Sequence, residues 1–96
     1  MTTVRLGDIE WDEAKARTNE RKHGVSFAEA MGAFLDPRGF TAPDKEHPER
    51  FILIGMSRSL RLLFVVSAEV GERIRIISAR KASPAQRKVY EHGPKE

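Results

Sequence analysis

The passage from residue 74 to residue 90 carries the side chains best suited to chemistry on a phosphate. Its sequence, IRIISARKASPAQRKVY, predicts a strand that ends at Arg80 and Lys81 and is followed at once by a helix. A helix start offers free N–H groups and the positive end of the helix dipole, which favour a nearby anion. The junction is therefore a candidate phosphate site. The structural alternative is that Arg80 pairs with a carboxylate while Lys81 is solvated.

Strand alternation predicts which side chains of this passage share a face. One face would carry Ile74, Ile76, Ser78 and Arg80, and the other would carry Arg75, Ile77 and Ala79. Arg75 is thus expected on the face opposite Arg80. Arg61 opens the preceding strand, and its guanidinium is expected to emerge at one edge of the sheet.

Proton-transfer candidates are few. His23, in the tripeptide Lys22-His23-Gly24, can act as a general acid or base because an unperturbed imidazole has a pKa near ~6.5. Its structural alternative is a cation that complements the end of a helix dipole. Tyr90 could stack on a base or donate a proton, and its structural alternative is packing at the edge of the core. Trp11 is better explained by packing. Three scattered histidines predict no metal site and no cofactor.

The elements that position these residues begin with a polar helix. Asp12 is its predicted N-cap, it should run to about His23, and Gly24 is the expected residue just past its end. Because its sequence, DEAKARTNERKH, is polar almost all round, the helix is expected to face solvent or a partner protein.

The second helix is predicted to seal the core. Ser26 and Glu29 have the S-x-x-E spacing in which each side chain caps the other residue's backbone N–H. Apolar residues then follow at helical spacing, namely Phe27, Ala30, Met31 and Phe34. Asp36-Pro37 is expected to end the helix, since the residue before a proline is pushed out of the helical region.

The last helix has an equally clear start. Ser83 is the predicted N-cap, Pro84 occupies the first helical position, and Gln86 is placed to complete a capping box. The helix should continue to about His92, before Gly93-Pro94.

Strands are predicted on either side of the first two helices. Residues 4–11 suggest one short strand, broken or bulged near Gly7, and a further short strand is suggested around Gly39–Thr41. Three strands joined by hairpin-length links then follow, Phe51–Met56, Leu60–Ala68 and Arg73–Ala79. The order β-α-α-(β)-β-β-β-α predicts an α+β domain with a small antiparallel sheet, two N-terminal helices and one C-terminal helix.

Composition limits the remaining choices. Seventeen Lys and Arg against fourteen Asp and Glu give a net charge of +3, and residues 73–90 hold six cations without one acidic residue, which favours a polyanionic partner. The chain has no cysteine, no apolar run near the ~20 residues that span a bilayer, and no signal-peptide stretch at its start. We therefore expect one cytoplasmic domain over residues 1–96, without membrane contact.

Four segments, taken together and in order, resemble the BrnT toxins of type II toxin–antitoxin systems. They are WDEAKARTNERKHGVSFAEAMGAFLD at 11–36, RFILIGMS at 50–57, LRLLFVVSAE at 60–69 and RIRIISARKASPAQRKVY at 73–90. The resemblance implies a RelE-like ribonuclease fold and an endoribonuclease that cleaves RNA without a metal and so inhibits translation and growth. It also implies a hetero-oligomer with a ribbon-helix-helix, BrnA-like antitoxin, through which the complex reaches promoter DNA.

The resemblance also suggests roles for the candidate residues. Cleavage requires the 2′-hydroxyl to lose a proton, the 5′-oxygen to gain one and the phosphate charge to be stabilised. Cations suit the last task, for which we single out Arg80 and Lys81, with Arg61 and Arg75 binding substrate. His23, Lys22 and Tyr90 are the proton-transfer candidates.

Two other functions fit the residues alone. A non-catalytic nucleic-acid-binding module within a larger regulatory complex would need the same basic surface but no proton-transfer groups. An interaction domain with fully solvated charges would have no salt-sensitive affinity for RNA. Cleavage of RNA in the presence of EDTA is expected of the ribonuclease that the resemblance implies, and of neither of these non-catalytic proteins.

Overall fold

A six-stranded sheet and three helices make up the computed structural model, which describes residues 2–93. In chain order the elements are β1 (Thr3–Leu6), β2 (Ile9–Asp12), α1 (Glu13–His23), α2 (Phe27–Ala33), β3 (Phe40–Pro43), β4 (Arg50–Met56), β5 (Leu62–Val70), β6 (Arg73–Lys81) and α3 (Pro84–His92). The strand order across the sheet is β1-β2-β6-β5-β4-β3. The predicted mixture of helices and sheet, with two helices before the main hairpins and one after, is confirmed.

The three predicted N-caps all form. The side chains of Asp12, Ser26 and Ser83 each accept a hydrogen bond from the backbone N–H three residues on. Gly24 follows α1 in the left-handed conformation, with a φ of 70°, as glycine at a helix end commonly does. Gly93 caps α3, whereas Pro94 lies outside the described residues.

The prediction of one bulged first strand is wrong, because the chain reverses direction there. β1 and β2 form an antiparallel hairpin in which Leu6 lies opposite Ile9. Gly7 begins the two-residue turn with a φ of 63°, a conformation that glycine adopts without steric cost. The slip in alternation near Gly7 therefore marks a turn.

The sheet is mixed, which corrects the prediction of an antiparallel sheet. β2 lies parallel to β6, with Ile9 opposite Ile74 and Glu10 opposite Arg75, while the other four pairs of neighbours are antiparallel. A parallel pair requires a long connection between its strands, and here α1, α2 and three strands supply it. β6 thus lies between the first hairpin and β5.

A bulge in β6 changes which of its residues share a face. Val66 lies opposite Ser78 and Ser67 lies opposite Ile76, so Ile77 has no partner on β5. An extra residue of this kind reverses the alternation on either side of it. The predicted face containing both Ile76 and Arg80 is therefore wrong.

Two faces of the sheet can now be defined. The inner face, under α1 and α2, carries the buried Leu63, Val65, Ile76 and Ala79. The outer face carries Phe64 and Ala68 of β5, which lie opposite Arg80 and Arg75 respectively. Arg75 and Arg80 are on the same face, contrary to the prediction, at opposite ends of β6.

The core lies between the inner face and α2. Phe27, Ala30 and Ala33 of α2 are almost fully buried, and Met31 and Phe34 pack against them. Trp11 is 6% exposed and meets Phe27 edge to face, with ring centroids 6.2 Å apart, so the packing role predicted for it is confirmed. None of the helices between residues 2 and 93 is both long and apolar enough to cross a bilayer.

Candidate active site

Arg80 lies on the open outer face near the end of β6. Its guanidinium carbon is 4.6 Å from the centroid of the Phe64 ring, and the residue is exposed. The Phe64 ring lies under the cation because the two residues are directly opposite in the β5–β6 register. Within residues 2–93, no carboxylate forms an ion pair with Arg80. The side chain is therefore oriented by an aromatic ring while its charge stays available to an anion.

Lys81 is exposed, but it follows Arg80 on the strand and so belongs to the inner-face set, opposite Leu63. α3 begins two residues later with fewer free donors than predicted. Pro84 has no N–H, and the N–H groups of Ser83 and Gln86 are both used by the capping box. Ala85 is the one remaining first-turn donor of α3, so the helix start offers fewer free N–H groups than predicted.

Arg75 belongs to a cluster around a buried carboxylate. Its Nε donates to Glu10 Oε2 at 2.9 Å, and Arg73 Nε donates to Oε1 at 2.9 Å. Arg5 Nε is 3.5 Å from the same Oε1. Because Glu10 is only 2% exposed, three arginines around one buried carboxylate leave an excess of positive charge at the β2–β6 junction.

Acidification should reveal the contribution of Glu10 to stability. The Arg75 hydrogen bond, with help from Arg73, holds the pKa of this carboxyl below its usual value of 4.5 despite burial, which raises it. A lowered folded-state pKa stabilises the protein above the unfolded value, and this contribution is lost as pH falls through the folded value. Glu10→Gln should therefore be less stable than the wild type near neutral pH, with the difference in stability shrinking as the pH falls below the usual carboxyl pKa of 4.5.

Urea unfolding midpoints at several pH values test this prediction, with Glu20→Gln as the control because Glu20 is exposed on α1. A Glu10→Gln protein whose deficit stays constant from neutral to acid pH would contradict it.

Arg61 ties the end of the Lys22-His23-Gly24 turn to α2. Its Nε donates to Glu29 Oε2 at 2.8 Å, a terminal nitrogen also binds Glu29 Oε1, and that nitrogen donates to the Gly24 carbonyl at 2.9 Å. Glu29 also accepts from the Ser57 hydroxyl. The carboxylate therefore serves Arg61 rather than returning to the Ser26 N–H, and half of the predicted capping box is replaced by charge-assisted bonds.

Asn19 joins the same turn to β6. Its amide nitrogen donates to the carbonyls of Val25 at 3.0 Å and Ala79 at 2.8 Å, and its amide oxygen accepts from the Ala79 N–H at 3.1 Å. Asn19 is the only buried residue of α1. The Asn19 amide thus makes the two hydrogen bonds that a neighbouring strand would otherwise make to Ala79, the residue before Arg80. These bonds fix α1 beside β6.

Lys22 and His23 lie on the α1 side of a groove that Ile77 and Ser78 close on the β6 side. His23 is half-buried and Lys22 is exposed. Ser78 belongs to the outer face and is two residues from Arg80. The groove therefore places the predicted proton-transfer residues of the turn at the same end of β6 as Arg80.

Tyr90 occupies a different position, at the C-terminal end of α3. Its hydroxyl donates to Asp36 Oδ2 at 2.7 Å, and Asp36 also accepts from the Met56 N–H at 2.8 Å. The hydrogen bond to Asp36, together with burial, raises the pKa of Tyr90. Arg38 lies 5.9 Å from the Tyr90 ring centroid. Tyr90 thus links α3 to the segment after α2.

The predicted site residues divide into three places. Arg80 and Lys81 lie on opposite faces at the end of β6, and the groove with Lys22 and His23 reaches Ser78, two residues before Arg80. Arg61 supports the turn that follows α1. Arg75 lies about 13 Å along the strand from Arg80, four β5 positions away, and Tyr90 is bound to Asp36. Between residues 2 and 93, no group of three or more His, Asp or Glu side chains is arranged to hold a metal ion.

Comparisons with known proteins give one family. The family model described as the ribonuclease toxin BrnT of type II toxin–antitoxin systems matches residues 11–86. A solved structure, the 1.1 Å crystal structure of the Brucella abortus ribonuclease toxin BrnT, is similar with a TM-score of 0.63 and 33% sequence identity. The match covers 76% of this chain and 92% of the Brucella chain. No curated protein matches the sequence.

Proposed function

We propose that this chain, which belongs to the BrnT family of ribonuclease toxins of type II toxin–antitoxin systems, cleaves RNA without a metal ion at the end of β6. The observation that carries the proposal is Arg80, an exposed guanidinium held over Phe64 and free of any carboxylate within residues 2–93. The other arginines of β6, Arg73 and Arg75, are both bound to Glu10. Arg80 is thus the β6 arginine whose charge is available to a scissile phosphate.

The proposed reaction is an internal transesterification. The 2′-oxygen attacks the phosphorus as its proton passes to a base, and the bond to the 5′-oxygen breaks as that oxygen takes a proton from an acid. The products are a 2′,3′-cyclic phosphate and a free 5′-hydroxyl. Arg80 stabilises the added charge on the phosphate oxygens, and Lys81, on the opposite face of β6, adds positive charge at the same end of the strand.

His23 is our first candidate for proton transfer, with Lys22 next to it. An imidazole exchanges protons near neutral pH, and His23 is half-buried in the groove that reaches Ser78. Tyr90 is a weaker candidate because its hydroxyl is engaged by Asp36. Arg61 is proposed to act on substrate binding through the turn that it holds, and Arg75 through the positive surface around Glu10.

We also propose a cellular role for the chain. Membership of a type II toxin–antitoxin family implies an antitoxin partner. We propose that this partner is a BrnA-like ribbon-helix-helix protein that forms a hetero-oligomer with the toxin and carries it to promoter DNA. We further propose a RelE-like relationship in fold, cytoplasmic action, and inhibition of translation and growth through RNA cleavage.

Incubation of the purified chain with a structured RNA in EDTA tests the catalytic proposal. We expect cleavage fragments that end in a 2′,3′-cyclic phosphate, formed at the same rate with or without chelator. Binding of the RNA without any cleavage would instead identify a non-catalytic nucleic-acid-binding module, and the loss of cleavage in EDTA would overturn metal independence.

A further inference from the structure

A groove lies between α1 and the free edge of β6. β2 pairs with β6 only at Ile74 and Arg75, so the following residues of β6 have no strand beside them on that side. Asn19 holds α1 against this edge at Ala79. The groove between them has a volume of about 350 Å³ and is lined by Ala14, Lys15, Thr18, Asn19, Lys22, His23, Ile77 and Ser78.

The charge of the groove has one sign. Its ionisable lining residues are Lys15, Lys22 and His23, and no carboxylate lines it. Both lysines are exposed and form no ion pair within residues 2–93, whereas the neighbouring Arg17 is paired with Glu13 at 3.3 Å. The groove therefore attracts an anion, and Lys15 and Lys22 spread that attraction over about 10 Å of the helix.

The groove also has apolar and hydrogen-bonding surface. The bulge leaves Ile77 without a partner on β5, and its side chain lines the groove together with Ala14. The Thr18 and Ser78 hydroxyls add hydrogen-bonding groups. A polyanion with flat, partly apolar units fits this lining, and single-stranded nucleic acid has that chemistry.

Ser78 connects the groove with the outer face. It lines the groove, and it lies on the same face of β6 as Arg80. Two residues of strand separate their Cα atoms by about 7 Å. A chain of nucleotides that lies in the groove is therefore led across Ser78 to Arg80.

We infer that the α1–β6 groove binds single-stranded RNA and leads the nucleotides beside the scissile phosphate to Arg80. This inference rests on the proposed function, of which it specifies the form of the substrate. The groove is small for a nucleic-acid duplex, since its volume is near the lower end of the ~300–1,000 Å³ range of small-ligand pockets. A single strand with its phosphates on the lysines is the occupant that matches both the size and the charge.

The test measures binding separately from cleavage. The probe is a fluorescein-labelled, 12-nucleotide single-stranded RNA in which every 2′-hydroxyl is methylated, so that no nucleophile is present. Fluorescence anisotropy gives its Kd at salt concentrations between about 50 and 200 mM for the wild type and two double variants. The groove variant is Lys15→Ala with Lys22→Ala, and the matched control is Lys45→Ala with Lys88→Ala, two exposed lysines outside the groove.

We expect the groove variant to bind about 5- to 10-fold more weakly near 100 mM salt, and its slope of log K against log salt to fall by about 1.4, or about 0.7 per lost phosphate contact. The control should keep the affinity and slope of the wild type to within about 2-fold, and a 12-base-pair RNA duplex should compete poorly for the probe. Thermal unfolding of both variants establishes that they are folded.

Three results would overturn the inference. The groove variant could bind the probe as tightly as the wild type does, both double variants could lose affinity equally, or duplex RNA could compete for the probe as well as single-stranded RNA does. The cleavage assay in EDTA decides the proposed function independently. If RNA is cleaved but the groove variant binds the probe as the wild type does, the ribonuclease proposal stands without the groove. If binding depends on the groove but RNA is not cleaved, only the catalytic proposal is overturned.

Discussion

Arg80→Ala is expected to slow RNA cleavage by about 100- to 1,000-fold, the usual cost of removing one group that stabilises charge in a transition state. The exposed Arg80 side chain contacts the Phe64 ring and carries no ion pair within the described residues. Loss of the cation–π contact costs only about 0.5–1 kcal/mol of folding stability. Activity should therefore fall while the urea midpoint hardly moves.

Two variants sharpen the Arg80 experiment. Arg87→Ala removes an exposed arginine of α3 that is paired with Glu91 at 3.8 Å, and it should cleave RNA at close to the wild-type rate. Arg80→Lys keeps the charge but loses the planar fork, so an intermediate rate is expected. Cleavage rates are measured in EDTA with RNA in excess. Wild-type cleavage by a folded Arg80→Ala protein would remove Arg80 from the mechanism.

Asn19→Asp is expected to cause the largest loss of stability of any single change proposed for this chain. The substitution keeps the shape of the side chain but removes both amide donors, so two carbonyls, those of Val25 and Ala79, lose their partner. It also brings negative charge against those carbonyls at a position only 7% exposed. Each unsatisfied buried group costs about 1–3 kcal/mol, which for two carbonyls gives a loss of about 2–6 kcal/mol from a total that is typically about 5–15 kcal/mol.

Urea unfolding near neutral pH measures this loss. Thr18→Ala is the control on the neighbouring position, where an exposed hydroxyl donates to the Ala14 carbonyl, and it should change stability by less than about 0.5 kcal/mol. Protonation of the new carboxyl restores one donor, so the deficit should narrow on acidification. A deficit below about 1 kcal/mol near neutral pH would show that Asn19 does not hold α1 to β6.

Local chemistry made the helices predictable. Capping depends on residues three positions apart, so Asp12, Ser26 and Ser83 could be read directly from the chain. The reciprocal half of the Ser26 cap failed because Glu29 binds the distant Arg61, a stronger partner than a neutral backbone N–H. The sequence alone offers no measure of that competition.

The sheet was harder to predict because its decisive contacts are far apart in the chain. The pairing of Ile9 with Ile74 joins segments that carry no local signal for each other. The bulge at Ile77 lies within the apolar pair Ile76-Ile77. The sequence of this pair is equally compatible with a regular strand that has no bulge. The face assignment of Arg75 depended on that one residue.

The structural roles of two residues near the site, Glu10 and Asn19, were not predicted. In a polar segment, the sequence does not distinguish a buried polar residue from a solvent-exposed one. Glu10 lies in β2 between two apolar residues, Ile9 and Trp11. That apolar context is a signal that the carboxylate is buried. Asn19 follows Ala16 by three residues on the face of α1 that meets β6, where an apolar side chain would be expected. A polar residue at such a position suggests a hydrogen-bonding link.

The parallel pair β2–β6 has a consequence for synthesis of the chain. Residues 9–10 find their partner only at residues 74–75, and Asn19 of α1 finds its partner at Ala79. Contacts so distant in sequence form late and slow the folding of a domain. Until β6 has been translated, β2 lacks its second neighbouring strand, α1 lacks its hydrogen bonds to Ala79, and Arg80 has not been added to the chain. We therefore expect a fragment that ends before β6 to lack the proposed RNA-cleaving activity.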